Sequence, residues 1–557
     1  MRKRGRSLSD VSGSIDVLVS CTRVCAVSAS PLVSRSGDDG DSQSIGSDAA
    51  RMQAVSNLSA DQMDSQKSAA NAFTTEMSFF SRVEEDIADM CVYLARTVST
   101  ARTHDAFVSL VEHFVKHGPE TVMLSLKRSG LQPRLLDLLC RSSFQWSRGE
   151  CQRLFLNFFV LVVKLSDTEA LCDSALISFL LLNSQPTKKA LQPPPSLTST
   201  TLSPAASSPG EESLVVERPL HWSQRVRQAK VVAKASPREP NTTDLKAVVG
   251  QLCGTETDVS GASLALRALL DIVFRQNRNT ALHADTSVCL MFAELDGFDI
   301  VAAFLTGEEC SDALHLLEAV TLCEGLRTLH ALKLERTAAC LVRFLTGKDG
   351  KQRMEDEAWH NTMNAALRVL TNVTGLVPSV LCELLQEGRA LAELAAEVLT
   401  DADAPPDTLA FTLCLVTNIV KWEARERIDA FTSCLVEDPS FLPRVASLTF
   451  RAYHAEDTEK NVVAGYYALL LAVLSLCASP ALQLRVPVMT AVAHATKGTV
   501  AGKMVEAKPM TLIVALLQEF VLFQGSAGSL TKESLVSMSS IIDSVVLHND
   551  IEVVSDG

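Results

Sequence analysis

Two near-copies of one pattern, ALRVLTNVTG ending at Gly375 and TLCLVTNIVKWEARER ending at Arg427, constrain this chain more than any other stretch. Each reads as an apolar helix with a Thr-Asn pair at its middle, Thr371-Asn372 and Thr417-Asn418, and the asparagines stand 46 residues apart (372 to 418). That interval is the length of one HEAT or armadillo unit, in which short helices stack on their neighbours. In the first copy Met363, Ala366, Leu367, Leu370 and Val373 recur at helical spacing, and in the second Leu409, Leu413, Val416 and Val420 do. Phe411, Cys414, Leu415 and Ile419 extend the second apolar surface almost all the way round, so that helix should be covered on more than one side. An amide in so apolar a helix needs a partner, because leaving it unpaired costs roughly 1–3 kcal/mol. Asn372 and Asn418 are therefore read as scaffold residues, each tying its helix to a neighbouring backbone.

The apolar content points the same way. Hydrophobic residues make up 47% of the 557 residues but aromatics only 5%, with four Trp and four Tyr, so Leu, Ala and Val build the cores. Such a composition favours an all-α chain over aromatic-rich strands. A net charge of −14 argues against direct nucleic-acid binding, which depends on neutralising phosphates. The fifteen cysteines are scattered through apolar helical runs (Cys140, Cys172, Cys323, Cys340, Cys382, Cys414, Cys434, Cys477) without a CxxC pair, which reads as buried free thiols in a reducing compartment.

Organisation along the chain follows from where helical periodicity starts and stops. Residues 1–75 are rich in Ser, Asp, Gly and Gln and read as a disordered tail, beginning MRKRGR without an apolar core of secretory length. Residues 76–183 read as a first set of helical repeats, in which AFVSLVEHFVKHG and TVMLSLKRSG each end on Gly after basic residues, a helix C-terminal signature. Residues 184–243 form a Pro/Ser/Thr-rich disordered linker. From 244 to 557 about a dozen further helices are expected, as an α-solenoid of HEAT/armadillo-like repeats. Val462 to Leu484 is uncharged and long enough on paper to span a bilayer, but Pro480 should end it, and a buried helix is expected there; no membrane span is predicted.

No catalytic or cofactor motif emerges. The phosphate-binding G-x-x-x-x-G-K-[ST], G-x-G-x-x-G, H-E-x-x-H and G-x-S-x-G patterns are all missing, and GSAGS at 525–529 reads as a turn. His330, His360 and His454 have no Cys or His at ligand spacing. The chain reads as a non-enzyme without cofactor or metal.

Six segments in order resemble the wings apart-like family of cohesin-release factors. ALRVLTNVTG and DTLAFTLCLVTNIVKWEARER are similar to that family's L-x-N-L-T and L-I-N-L-V-E-x-x-x-x-N-R helices, with Asn372, Thr374, Asn418, Arg425 and Arg427 on the pattern, Lys421 replacing its acidic residue and Glu426 its second Asn. SRVEEDIADMCVYL resembles the opening acidic helix through Glu85, Asp86 and Ile87. LMFAELDGFDIVAAFL resembles an internal segment through Glu294, Leu295, Asp296, Gly297 and Asp299. VAGYYALLLAVLSL and LQEFVLFQGSAGSLTKES resemble the closing elements, so the likeness covers about residues 80–183 and 244–545. Animal members of that family carry F-G-F motifs and a Y-S-R motif in the N-terminal tail that dock on HEAT-repeat cohesin partners. This chain has no Phe-Gly pair and no Tyr before Tyr93, which leaves binding to the helical part.

The resemblance implies a nuclear, chromatin-associated regulator of sister-chromatid cohesion. Its partners would be cohesin's ATPase and kleisin subunits and their HEAT-repeat regulators, and it would promote cohesin's release. It implies protein contacts at Glu85 and Asp86, where an acidic first turn complementing the helix dipole is the competing reading, and at Arg425 and Arg427. The alternative is a generic armadillo/HEAT scaffold or adaptor that binds extended peptides, separable by imaging a tagged protein. Three Ser-Pro pairs in and beside the linker, at Ser203, Ser208 and Ser236, read as phosphorylation sites. Phosphopeptide mapping from dividing cells is expected to find them modified; consistently unmodified peptides would remove that reading.

Overall fold

The computed structural model describes residues 85, 88, 100–142, 150–184, 242–253, 259–278, 287–323, 325–326, 330–347, 357–378, 380, 385–455, 457–477, 479, 482–496, 508–528 and 532–549. Among these the chain is all-helical, with 21 helices and no β-strand, as its aliphatic composition requires. It divides into two compact units, one of residues 42–272 and one of 1–41 with 273–557. The tail, residues 185–241 of the linker with its Ser-Pro pairs, and Asp86 lie outside the described residues; the linker's last two residues, Thr242 and Thr243, are already helical, and Glu85 is helical and exposed.

In the unit of residues 42–272 the helices are α1 (Thr100–His117), α2 (Pro119–Arg128), α3 (Gln132–Ser142), α4 (Glu150–Leu165), α5 (Thr168–Leu171), α6 (Ser174–Asn183) and α7 (Thr242–Cys253). The start of α8 (Gly261–Arg278) also belongs here. The glycine stops are where the sequence puts them. Gly118 (φ 82) follows α1 and Gly130 (φ 68) follows α2, both left-handed. The backbone N–H of Leu131 donates to Leu126 O at 2.9 Å and that of Gly130 to Lys127 O at 3.1 Å, the paired bonds of a Schellman stop. The core is the chain's aromatic cluster: Phe107 and Phe114 of α1 meet Phe158 of α4 edge-on, and Phe159 meets Phe179 of α6 at 4.8 Å. Helix α7, which the sequence reading assigned to the second helical part, packs against α1 and α4 in this unit.

The unit of residues 273–557 continues with α9 (Val288–Glu294), α10 (Gly297–Ala302), α11 (Cys310–Thr321), α12 (Ala331–Thr346), α13 (Glu357–Leu376), α14 (Leu385–Thr400) and α15 (Pro406–Glu426). Beyond them come α16 (Ala430–Leu435), α17 (Phe441–Tyr453), α18 (Thr458–Ser475), α19 (Arg485–Thr496), α20 (Pro509–Ser526) and α21 (Lys532–His548). One series packs α11 on α13, α13 on α15, α15 on α18 and α18 on α20; a second packs α10 on α12, α12 on α14, and α14 on both α16 and α17. LMFAELDGFDIVAAFL reads as one helix but is two, α9 and α10, because Asp296 takes a left-handed turn (φ 59) between them. Helices α14, α16 and α19 lie outside the expected set; α14 is rich in Ala and Glu, good helix formers, and buries Leu391, Leu394, Val398 and Leu399.

The stretch that reads as a possible span is α18, buried from Val463 through Ser475 among α15, α17 and α20. A different helix, α20, is long and apolar enough to cross a membrane by length and composition, and 39% of it is buried. Gly465 is what lets α18 and α20 come together: a Cβ there would stand 2.1 Å from a ring carbon of Phe520. Gly465→Ala should therefore destabilise this unit by about 1–3 kcal/mol through overpacking. Gly388→Ala in α14, where nothing lies within 4 Å, should stabilise it by about 0.4–1 kcal/mol through the unfolded chain. Thermal melts of the two variants check both; equal shifts would refute the close approach.

Candidate interaction surface

Helix α13 carries the first Thr-Asn pair and α15 the second, and the two pack side by side. Asn372 is fully buried, and its Nδ2 donates to Thr321 Oγ1 at 3.2 Å and Glu318 O at 3.4 Å, both on α11. Asn418 is half-buried, and its Nδ2 donates to Thr374 Oγ1 at 3.3 Å and Thr371 O at 3.4 Å, both on α13. The two contacts are the same device: an amide reaches a carbonyl and a threonine hydroxyl three residues on, one helix back. Both asparagines thus hold helices together, as their apolar surroundings demand. Thr371 and Thr321 return their hydroxyls to carbonyls four residues earlier in their own helices, at 2.8 Å each.

A charged seam runs beside these amides. Arg368 Nε lies 2.8 Å from Glu318 Oε1, with both side chains mostly buried, and its guanidinium stands 5.0 Å over the Phe411 ring of α15. Glu318, Arg368 and Phe411 therefore join the same three helices that the amides join. Asn364 completes the set by accepting from Thr408 Oγ1 at 2.8 Å. None of these partners was foreseen. A signal existed, since Val320-Thr321 repeats as Val373-Thr374.

The end of α15 is built by a buried carboxylate. Glu423 is 3% exposed and accepts from the N–H groups of Phe431 and Thr432 at 2.8 Å each and from Thr432 Oγ1 at 2.6 Å. It thereby satisfies open donors in the first turn of α16. This fixes the chain's turn between the two helices and leaves Arg425 and Arg427 facing solvent. Arg425 lies 3.6 Å from Glu426, an exposed pair that contributes little. Arg427 closes the helix in the left-handed region (φ 59, ψ 35), where glycine is the usual occupant. Beside it Ile428 is exposed. Of the four contact candidates, Glu85, Arg425 and Arg427 are exposed, the two arginines together at the end of α15, and Asp86 lies outside the described residues.

Other chemistry is sparse. Among the described residues no group of three or more His, Cys, Asp or Glu could hold a metal ion. A pocket of about 110 Å³ lies among Trp359, Met363, Glu397, Val398 and Thr408, well below the ~300 Å³ at which small-molecule sites begin. Of the eight cysteines singled out from sequence, Cys140, Cys414 and Cys477 are buried as expected, Cys172, Cys323, Cys340 and Cys434 are only half-buried, and Cys382 lies outside the described residues. Cys172, Cys323 and Cys434 fall at or beside helix ends, where apolar context does not guarantee cover.

No family model, curated protein or solved structure matches this chain.

Asn372→Ala and Asn418→Ala should each lower the stability of this unit by about 1–3 kcal/mol, with the buried Asn372 the costlier. Arg427→Gly should raise it by about 1 kcal/mol, the strain of a left-handed side chain. Urea denaturation checks both signs; an Asn372→Ala chain as stable as the parent would remove the amide ties from the account.

Proposed function

We propose that this chain is a non-enzymatic regulator of sister-chromatid cohesion, an α-solenoid of HEAT/armadillo-like repeats that binds cohesin and promotes its release from chromatin. The observation that carries the reading is the pair of helices on which the likeness to the wings apart-like family is strongest. They are neighbours, they repeat one amide contact, and the second ends in exposed Arg425 and Arg427. A repeat that recurs in contact, and not only in sequence, supports a stacked array. In this reading the chain acts in the nucleus and without a cofactor, and ATP hydrolysis belongs to cohesin. Release follows if the array binds the open state of the cohesin ring more tightly than the closed one; a difference of a few kcal/mol moves the populations substantially. The chain's net charge of −14 directs it to proteins and away from DNA. The Arg425/Arg427 end and the acidic Glu85 are the surfaces assigned to the partner.

The second reading, a scaffold or adaptor of other cargo, is favoured by one observation. Val486, Leu522, Phe523, Val536 and Leu547 on α19–α21 all stand exposed, as side chains awaiting cover would.

Affinity purification of the tagged full-length chain from nuclear extract, read by mass spectrometry, separates the two. Cohesin subunits are expected among the main partners, with recovery falling about tenfold, or ~1.4 kcal/mol, in the Arg425→Glu/Arg427→Glu double variant at unchanged melting temperature. Recovery of a cytoplasmic cargo with no cohesin would leave the adaptor.

A further inference from the structure

The turn that follows α11 meets the start of α9 at three polar side chains. Ser287 precedes α9, Cys289 lies in its first turn, and Cys323 stands two residues beyond the end of α11. Ser287 Oγ is 3.6 Å from Cys323 Sγ. The Cys289 and Cys323 side chains interact directly. The Cys323 sulfur also lies beside Gly325, and the N–H of Leu326 donates to the Cys323 carbonyl at 3.2 Å. Cys289 is 1% exposed, whereas Cys323 is half-buried, and neither is in a disulfide. One sulfur thus sits beside a hydroxyl at the edge of solvent and interacts with a second, buried sulfur.

We propose that Cys323 and Cys289 form an oxidisable thiol pair, in which Cys323 is oxidised by a hydroperoxide and Cys289 resolves the product into an intramolecular disulfide. The surroundings suit the two sulfurs to different tasks. The interaction with Cys289, with those of Ser287 and the Gly325 and Leu326 backbone, brings the Cys323 thiol down to about 6 against the effect of its burial. The same interaction, together with burial, holds Cys289 well above the usual thiol range. Elsewhere burial dominates: it pushes Cys253 up to about 11 against the pull of Lys164, and Cys477 up to about 12 with the carboxylates of Glu423 and Asp429 adding to it. At neutral pH Cys323 is thus anionic and partly reachable, as an oxidation target must be.

The chemistry balances in two steps. The Cys323 thiolate attacks one peroxide oxygen, an S–O bond forms, the O–O bond breaks, and the leaving hydroxide or alkoxide takes a proton from water. Sulfur is oxidised by two electrons to the sulfenic acid and the peroxide is reduced. Cys289 then loses its proton, its sulfur attacks the Cys323 sulfur, and the S–O bond breaks. The departing hydroxide takes up that proton as water, and an external dithiol reverses the bridge.

The test uses the reduced full-length chain, treated with equimolar hydrogen peroxide, blocked with N-ethylmaleimide and digested without reduction for mass spectrometry. The expected product is a peptide pair joined through Cys289 and Cys323, two hydrogens lighter and separated by dithiothreitol. In Cys289→Ser the bridge should vanish and dimedone should label Cys323. In the untreated chain iodoacetamide should modify Cys323 at least tenfold faster than the half-buried Cys340 and Cys434. A parent chain in which Cys323 survives as free thiol, or is bridged to another cysteine, while other thiols oxidise overturns the proposal whatever the variant does.

Discussion

An amide group buried in an aliphatic helix must be paired, and in the unit of residues 273–557 that requirement is met one helix away. Asn372 spends its N–H groups on α11 and Asn418 spends its own on α13. Aliphatic contact alone tolerates sliding, because one Leu or Val face fits another in several registers. An amide that must find a particular carbonyl and hydroxyl does not, so these bonds set how α11, α13 and α15 lie along one another. The Glu318–Arg368 pair with Phe411 joins the same three helices. Since a half-satisfied buried polar group is costlier than none, the arrangement is stable only when complete.

Farther along, the same series is held by shape in place of polarity. Val420 stands where the earlier helices carry Thr321 and Thr374, so the amide device stops at α15. From there α18 packs through an apolar surface closed nearly all round, and Gly465 brings it against Phe520. Tyr467 supplies one fixed point, its phenol donating to Leu399 O of α14 at 2.9 Å. Five of the nine large apolar side chains that stand exposed among the described residues lie on α19–α21.

The surface we propose for a partner lies where the packing ends. Glu423 turns the chain after α15 and by doing so presents Arg425 and Arg427, one of them in a backbone conformation that a glycine would hold at less cost. A residue kept in such a conformation points to a use for its side chain. The thiol pair follows the same logic at a different edge. Cys289 is covered by the core and Cys323 sits at a helix end, so one sulfur is inert and its neighbour is reactive, within a single hydrogen bond.

Helical periodicity, glycine stops and aliphatic composition determined by themselves that the described chain is all-α, where most of its helices run, and that Asn372 and Asn418 are structural. Each of these follows from local rules or from the cost of a lone buried amide, which the residue's immediate neighbours reveal. The helix break at Asp296, the placement of α7, the partners of the two amides, the buried role of Glu423 and the meeting of Cys289 with Cys323 were decided only in three dimensions. Asp296 could have continued a helix until packing required a turn, and Glu423 reads as surface charge until α16 brings it three donors. The thiols are 34 residues apart (289 to 323), and no periodicity relates them. What acts between neighbours in sequence was legible; what depends on which helix end meets which required the chain to be folded.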